Sequence, residues 1–513
     1  MSNQECSKYT IPQYYSGKKL FITGGTGFIG KVLLENFLRF CPDISKIYLL
    51  IRSKKDKSPE QRLKEMFDLP LFDRLKKEYP ENVKKVVPVV GDTNEIDLGL
   101  SNESRKLLIG EVNLVIHCAA SVRFDDSLQK SILLNTRGTK DVALLAKEIK
   151  NIENLVHVST TYCHTDKKVV EEKVYPAVAD WREAIKIAEN ADSHTIDVLT
   201  AKYIEPFPNT YTFAKNLAEQ VVTDLCDGKI PTTIFRPSIV ISSYDEPIPG
   251  WIDNFNGPVG ILVASGKGIL KTAYASGHIT ADYVPVDIIT KGLIAGVWKK
   301  SFESHEEKLK ISVYNGSNND VNNLTLTEML EMGKKLTWEY PLNDVLWYPS
   351  GKPTSCFWNY YFRVMLYHIL PALLVDTLLW IIGHKPMLLR IQRKIYIANV
   401  ALHYFTSQEW SFKNDKSISL EENLTPEDRK VFNFHRDADP YEYFKNALLG
   451  SKEYLLKEDN SNIPKAKAHM RRLYVLSIFA DVLWYLSLFY IVFIKYDLFH
   501  VVCNKICGYI DLL

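Results

Sequence analysis

Short, almost continuously apolar runs separated by longer periodic stretches set the plan of the first two-thirds of this chain. The runs are Lys19–Thr23, Lys46–Ile51, Val86–Val90, Val112–His117, Leu155–Ser159 and Thr232–Arg236. Unbroken apolar character marks strands covered on both faces. Between them, Ser127–Lys150 and Tyr211–Cys226 repeat apolar residues every three or four positions, as helices do. The alternation predicts an α/β fold, a doubly wound parallel Rossmann-type sheet with helices on both faces. Cys163–Asn209 is too long for a tight connection and is expected to form helices over the site. Gly250–Gly268, rich in glycine and aromatic residues, suits a substrate loop, and the Asn-rich stretch 315–323 reads as a surface turn.

The pattern changes around Trp347–Pro353, which places a boundary between a nucleotide-binding domain, 1–350, and a helical C-terminal domain, 351–460. Tyr360–Ile382 is apolar but contains Arg363, His368, Pro371 and Asp376. That composition favours a helix lining an apolar pocket or lying on a membrane surface over a clean span. Leu473–Ile494 has one charge, Asp481, over about twenty residues, enough for a helix to cross a bilayer. A transmembrane or membrane-anchoring helix is therefore expected over 473–494. Arg471 and Arg472 before it place the large N-terminal part on the cytosolic side.

Composition adds less. The 513 residues suit two or three domains, and a hydrophobic fraction of 46% supplies ample core. A net charge of +2 gives no reason to expect a nucleic-acid partner. The eight cysteines lack paired or metal-ligand spacing and read as reduced thiols of an intracellular protein, and the polar N-terminus carries no signal peptide. His403, His435 and Asp437 do not have the spacing of metal ligands, so no metal is expected. Cys163–His164 reads as a structural pair rather than a nucleophile, and Glu171–Glu172 as a solvated charge pair.

The chemistry starts where the first strand ends. Thr23-Gly24-Gly25-Thr26-Gly27-Phe28-Ile29-Gly30 puts glycines at three-residue spacing between a strand and a helix. Gly24 permits a tight turn, Gly27 a close approach to a pyrophosphate, and Gly30 close packing of the helix. Thr26, Phe28 and Ile29 complete this phosphate cradle at a helix N-terminus. After the second strand stands Arg52, with no acidic residue beside it, which suits a ribose 2′-phosphate and therefore NADPH. Asp92 after the third strand is placed near the adenine. Ala119, Ala120 and Ser121 after the fourth let the cofactor lie close. Asn135 is placed to bond backbone or to pack within the central helix, and Pro237 ends the sixth strand near the nicotinamide.

Tyr211 and Lys215 stand four apart, on one face of a helix. The ammonium is expected to lower the phenol's pKa and to reach the cofactor ribose. The fifth strand ends in hydroxyls, of which Thr160 is preferred and Ser159 the alternative for bonding a carbonyl oxygen that gains negative charge.

Taken in order, TGGTGFIG, HCAAS, VSTTYC, YTFAK and FRPSIV resemble the extended short-chain dehydrogenase/reductases. VSTTYCH, YTFAKNLAEQ, RPSIVISSYDEPIPGWIDNFNGPVGI and the lipophilic C-terminal half are similar to eukaryotic fatty acyl-CoA reductases. The resemblance implies reduction of a long-chain fatty acyl-CoA to a primary alcohol with NADPH, by two hydride transfers through an aldehyde. It implies Tyr211 as proton donor, Lys215 as its partner and the strand-five hydroxyl as third member. It further implies a lipid bilayer partner, an intracellular membrane (endoplasmic reticulum or peroxisome), and an acyl channel walled by Phe357, Trp358, Leu373, Leu374 and Trp380. Thr161 and His164 stand where the family often has Ala and Asn. Two other readings remain open at this stage: a membrane-bound reductase of sterols or nucleotide sugars, and a non-catalytic NADPH-binding scaffold.

Overall fold

A computed structural model describes residues 9–53, 57–255, 258–318, 324–434 and 439–491. Seven strands form its main sheet: β1 (Lys19–Thr23), β2 (Lys46–Ile51), β3 (Val86–Val90), β4 (Leu114–His117), β5 (Asn154–Val158), β6 (Thr232–Pro237) and β7 (Ser312–Gly316). All pair in parallel, in the order β7-β6-β5-β4-β1-β2-β3. The register is direct: Leu20 faces Ile47 on one side and Leu114 on the other. The helices that matter below are α1 (Phe28–Phe40), α2 (Gly138–Glu148), α3 (Thr210–Cys226), α4 (Val286–Lys300), α5 (Phe357–Ile381), α6 (Leu388–Thr406) and α7 (Ile463–Phe489).

Alternation along β1 divides the core. Leu20 and Ile22 point to one face and pack with Val32, Leu33 and Phe37 of α1 and with Ile289 and Leu293 of α4. Phe21 points to the other face, among Val142 and Leu145 of α2. The strand order reverses between β1 and β4, so the loops leaving their C-terminal ends diverge and open a cleft there.

The six expected strands are present within two residues of their expected bounds, and the seventh is a correction. Asn315, assigned to a surface turn, lies buried in β7. Its amide nitrogen donates to the carbonyls of Val170 at 3.1 Å and Lys413 at 2.7 Å. Residues 319–323 of that stretch lie outside the described residues. Glu172 is a second correction. It is buried, and its carboxylate accepts the backbone N–H groups of Asn315, Lys416 and Ser417. Only Glu171 is a solvated partner, of Lys173.

The C-terminal segments are stitched to the first part. Ser411–Phe412 pairs with Val169–Val170, and Lys352–Thr354 with Thr272–Tyr274. Gly250, with φ +75°, lies so close to the helix Pro440–Gly450 that a Cβ there would stand 2.0 Å from the Asn446 carbonyl. The expected channel residues do not line a closed tube. Phe357, Trp358, Leu373, Leu374 and Trp380 are 41, 76, 49, 59 and 70% exposed, because α5 turns a different stripe toward the protein.

Candidate active site

The β1–α1 turn is built as its glycines require. Gly24 has φ +72°, and a Cβ on it would stand 2.5 Å from the Ala119 nitrogen at the end of β4. A Cβ on Gly30 would stand 2.3 Å from the Gly24 carbonyl, so α1 begins pressed against its own turn. Gly27 is the N-cap of α1 with no side-chain cap bond, which leaves the first-turn N–H groups for an anion. Thr26, Phe28 and Ile29 flank this opening; Phe28 stacks on Trp251, 5.5 Å between centroids. These features fit a dinucleotide pyrophosphate.

The other predicted residues gather at the C-terminal ends of the strands. Ser121 and Asn135 bind reciprocally: the Ser121 N–H donates to Asn135 Oδ1 at 2.8 Å, and Asn135 Nδ2 donates to the Ser121 carbonyl at 3.1 Å. Asn135 therefore holds the β4 loop that carries Ala119 and Ala120. Asp92 accepts the Asn94 N–H at 3.0 Å and closes the turn after β3. Arg52 is exposed, and its carbonyl accepts from Arg62 Nη1 at 2.6 Å. A cavity of about 340 Å³ beside the glycine turn is lined by Thr26, Lys31, Lys57 and Arg62 among others. The last three were missed in sequence: the density of basic residues after β2 marks Lys57 and Arg62, and Lys31 stands on α1 just past the glycine turn.

Tyr211 lies in the first turn of α3, which Asn209 caps by accepting the Thr212 N–H at 2.9 Å. The Thr160 side chain stands close enough to the phenol to draw its pKa down. Ser159 turns away, its hydroxyl toward Cys163 Sγ at 3.6 Å, so the geometry joins Thr160, not Ser159, to Tyr211. Lys215 Nζ donates to the Val158 carbonyl at 2.8 Å. Pro237 closes β6 in register with Gly316.

The electrostatics differ from expectation. Burial raises the Tyr211 phenol above its ordinary value, and Thr160 lowers it only in part. Lys215 is brought down by burial to about 8, against a weaker pull from Cys118, Cys163 and Glu219. His117, beneath the cleft, is brought down to about 3 by burial and by Lys215. It is held neutral between Thr23 Oγ1 at 2.7 Å and Thr139 Oγ1 at 3.0 Å.

Beneath Lys215, one turn along α3, the Glu219 carboxylate is almost wholly buried. It receives Arg236 Nε at 2.8 Å and Nη2 at 2.7 Å, Cys163 Sγ at 3.1 Å and His164 Nε2 at 3.1 Å. Burial alone would raise its pKa, but Arg236 and His164 outweigh that and hold it well below the usual carboxylate range. Cys163, His164 and Glu219 lie within 4.8 Å of one another, as ligands of a metal ion would. Here the Arg236 guanidinium supplies the cation. Cys163–His164 is thus a structural pair, while the roles of Glu219 and Arg236 gave no sequence signal. His435 and Asp437 lie outside the described residues.

The wall facing Tyr211 is aromatic. Phe124 stacks on the Tyr211 ring with centroids 5.9 Å apart, Phe405 of α6 lies 5.3 Å from Phe124, and Tyr162 lies 5.4 Å from Phe405.

Two family models, both described as male sterility protein, match residues 22–293 and 367–458. The chain is 38% identical over 467 residues to "Fatty acyl-CoA reductase wat" of Drosophila melanogaster, covering 91% of this chain and 89% of that one. It is 38% identical over 465 residues to "Fatty acyl-CoA reductase 1" of Homo sapiens, covering 90% of each. Among solved structures it resembles the terminal R domain from the myxalamid PKS-NRPS pathway, with a TM-score of 0.55, 16% identity, and coverage of 85% of this chain and 90% of that one. It also resembles the reductase domain of a non-ribosomal peptide synthetase from Mycobacterium tuberculosis, with a TM-score of 0.56, 17% identity, and coverage of 89% and 95%. At these identities the likeness to the solved structures is one of fold.

Removing Arg236 leaves the buried Glu219 carboxylate without its guanidinium, held only by His164 and Cys163. Arg236→Met should lower stability by about 3–5 kcal/mol in denaturant titration, and the double variant Glu219→Gln/Arg236→Met by clearly less. Additive losses would show that the pair is not coupled.

Proposed function

This chain is a member of the fatty acyl-CoA reductase family, and on that premise we propose that it reduces a long-chain fatty acyl-CoA to the primary alcohol and CoA, with NADPH as reductant. Its N-terminal part binds a nicotinamide nucleotide. The observation that carries the proposal is the meeting of Tyr211 and Thr160 at the carboxyl end of the sheet. On one side of them is the glycine turn, and on the other the apolar wall of Phe124 and Phe405.

The glycine turn and the α1 N-terminus would hold the pyrophosphate, Ala119 and Ala120 the cofactor's flank, and Lys215 the ribose. Arg52, Arg62 and Lys57 surround the place of a 2′-phosphate. When bound, NADPH would supply hydride twice in succession, one cofactor molecule for the thioester and a second for the aldehyde, which becomes the alkoxide. The chain's own groups handle the oxygen and its proton. Thr160 and Tyr211 donate hydrogen bonds to the thioester oxygen as it gains charge, and loss of CoA leaves the aldehyde. Tyr211 then gives its proton to the alkoxide, and a phenol held protonated by burial is suited to giving. Lys215, anchored on Val158, returns the positive charge that the tyrosinate needs.

The C-terminal helix α7 is 6% buried over its most apolar window and long enough to span a bilayer. With Arg471 and Arg472 before it, we place the body on the cytosolic face of an intracellular membrane, that of the endoplasmic reticulum or peroxisome.

The direct test is product analysis by mass spectrometry over an acyl-CoA series with NADPH. Fatty alcohol should form, and Tyr211→Phe and Lys215→Ala should each cut turnover about a hundredfold or more. Absence of alcohol together with turnover of a steroid would overturn the substrate. Activity has a pH limb. As pH rises through about 8, Lys215 loses its proton and kcat/KM should fall. Stability should instead rise from there toward 10.5, because the unfolded chain keeps the proton longer. Lys215→Arg should move the activity limb upward, and a flat profile would remove Lys215 from the mechanism. Arg52→Ala and Arg62→Ala should each weaken NADPH about tenfold or more while leaving NADH nearly unchanged; equal loss would contradict the 2′-phosphate assignment.

A further inference from the structure

Helix α5 is turned inside out. Its buried residues are Tyr360, Val364, His368, Ala372 and Asp376, a narrow stripe at four-residue spacing. Residues 365–369 form a π turn, whose larger number of residues per turn keeps that stripe on one side. Of the three polar side chains that counted against a clean span, His368 and Asp376 face the protein, and Arg363 is half-buried. His368 Nε2 accepts the Lys271 N–H at 2.9 Å. Asp376 accepts the N–H groups of Met387, Leu388 and Leu389 at 3.0, 2.9 and 2.9 Å and so caps α6. Most of what faces outward is large and apolar, including Trp358, Phe362, Leu374, Leu378, Trp380 and Ile381, with Asn359 and Thr377 as exposed polar residues. A helix against water shows the reverse arrangement, and a patch of this size is larger than soluble surfaces leave open.

Three further observations say what covers this face. First, it adjoins the candidate span. The first turns of α7 are fixed to the body through buried Ala466, Met470 and Leu473, with His469 Nε2 on the Val345 carbonyl at 2.8 Å. Lys271, whose N–H binds His368 of α5, also feels the Asp481 carboxylate of α7. The two apolar surfaces therefore open on the same side. Second, the far end of the hairpin is basic. Lys385, Arg390, Arg393 and Lys394 are exposed, and no acidic residue occurs from 377 to 408. Third, α6 runs from that basic end to Phe405, which reaches Tyr211 through Phe124.

We propose that the α5–α6 hairpin lies in the interfacial layer of one leaflet, on the same side as α7, with its basic end on anionic headgroups, so that acyl chains reach Tyr211 along α6 directly from the bilayer. The inference rests on reading α7 as the membrane span. Apolar burial and attraction of basic residues to anionic lipid together give such a hairpin its affinity.

The test uses the full chain in nanodiscs containing anionic lipid, with the photo-crosslinker p-benzoylphenylalanine placed singly at Leu374, Trp380, Phe479 or Ile96. Lipid adducts are expected at 374, 380 and 479 and none at 96, which is exposed beyond β3. Adducts at 479 without adducts at 374 and 380 would overturn the hairpin and leave the span standing, and adducts at none of these positions would overturn both. The measurement needs no turnover, so it fails separately from the proposed reaction. A second measurement reads delivery. Leu374→Glu with Leu378→Glu should raise KM for palmitoyl-CoA in anionic vesicles about fivefold or more. The same change should leave kcat/KM for octanoyl-CoA in solution unchanged, and an equal effect on both substrates would count against entry from the bilayer.

Discussion

Glu219 keeps a negative charge in the interior with no water to solvate it, and every group around it is arranged to supply what water would. Arg236 reaches it from β6, and Cys163 and His164 from the turn after β5, while Glu219 itself stands on α3. The helix α3, the strand β6 and the turn after β5 are thereby tied to a single carboxylate. Each carries part of the proposed chemistry: α3 brings Tyr211 and Lys215, the β5 turn brings Thr160, and β6 ends at Pro237. A buried ion pair gives little net stability beyond what apolar packing would. Its value here is geometric, since a displaced partner would leave a bare charge inside, and alternative packings of these elements are penalised accordingly.

The same logic, reversed, organises the C-terminal part. There the polar groups of an apolar helix are spent inward, His368 on a backbone N–H and Asp376 on the first turn of α6. What remains outside is mostly apolar, with the Thr377 hydroxyl donating to the Leu373 carbonyl at 2.7 Å, so that surface can face hydrocarbon at little cost. On the proposed placement, one continuous segment would serve two solvents. Its exposed length suits lipid, and its end at Phe405 closes the aromatic wall beside Tyr211.

How much of this could be read from the chain follows from which interactions are local. The strands Lys46–Ile51 and Val86–Val90 stand where their apolar runs do, because burial on both faces is written into consecutive residues. The glycine turn is equally local, and so is the Tyr211–Lys215 spacing. Asn315 and Glu172 were misread because their partners come from residues 411–417, and nothing near them in sequence announces that pairing. The exposed side of Phe357 and Trp358 was misread for a related reason. Hydrophobicity says that a residue avoids water but not whether protein or lipid replaces it. Arg62 was missed because its position in the cleft depends on a helix folding back onto the Arg52 carbonyl.

The charge state of the cleft also bears on the direction of the reaction. A lysine beside a tyrosine is commonly expected to draw off the phenolic proton. In this protein burial dominates both groups, raising the phenol and lowering the ammonium. The first shift keeps the proton on the phenol oxygen, whereas the second works against the ammonium, which keeps its positive charge only below about pH 8. Neutral His117 below adds no second charge. In the proposed reaction such a site loses little by giving its phenolic proton to a strongly basic alkoxide, because the tyrosinate that results would lie beside an ammonium retained below about pH 8. It would lose more by taking a proton from a neutral alcohol, since the starting state would then need the buried phenolate already formed. The aromatic wall reinforces the asymmetry by keeping water, the competing proton source, away from the reacting oxygen. Reduction, rather than oxidation, is the direction that this dry, singly charged cleft assists.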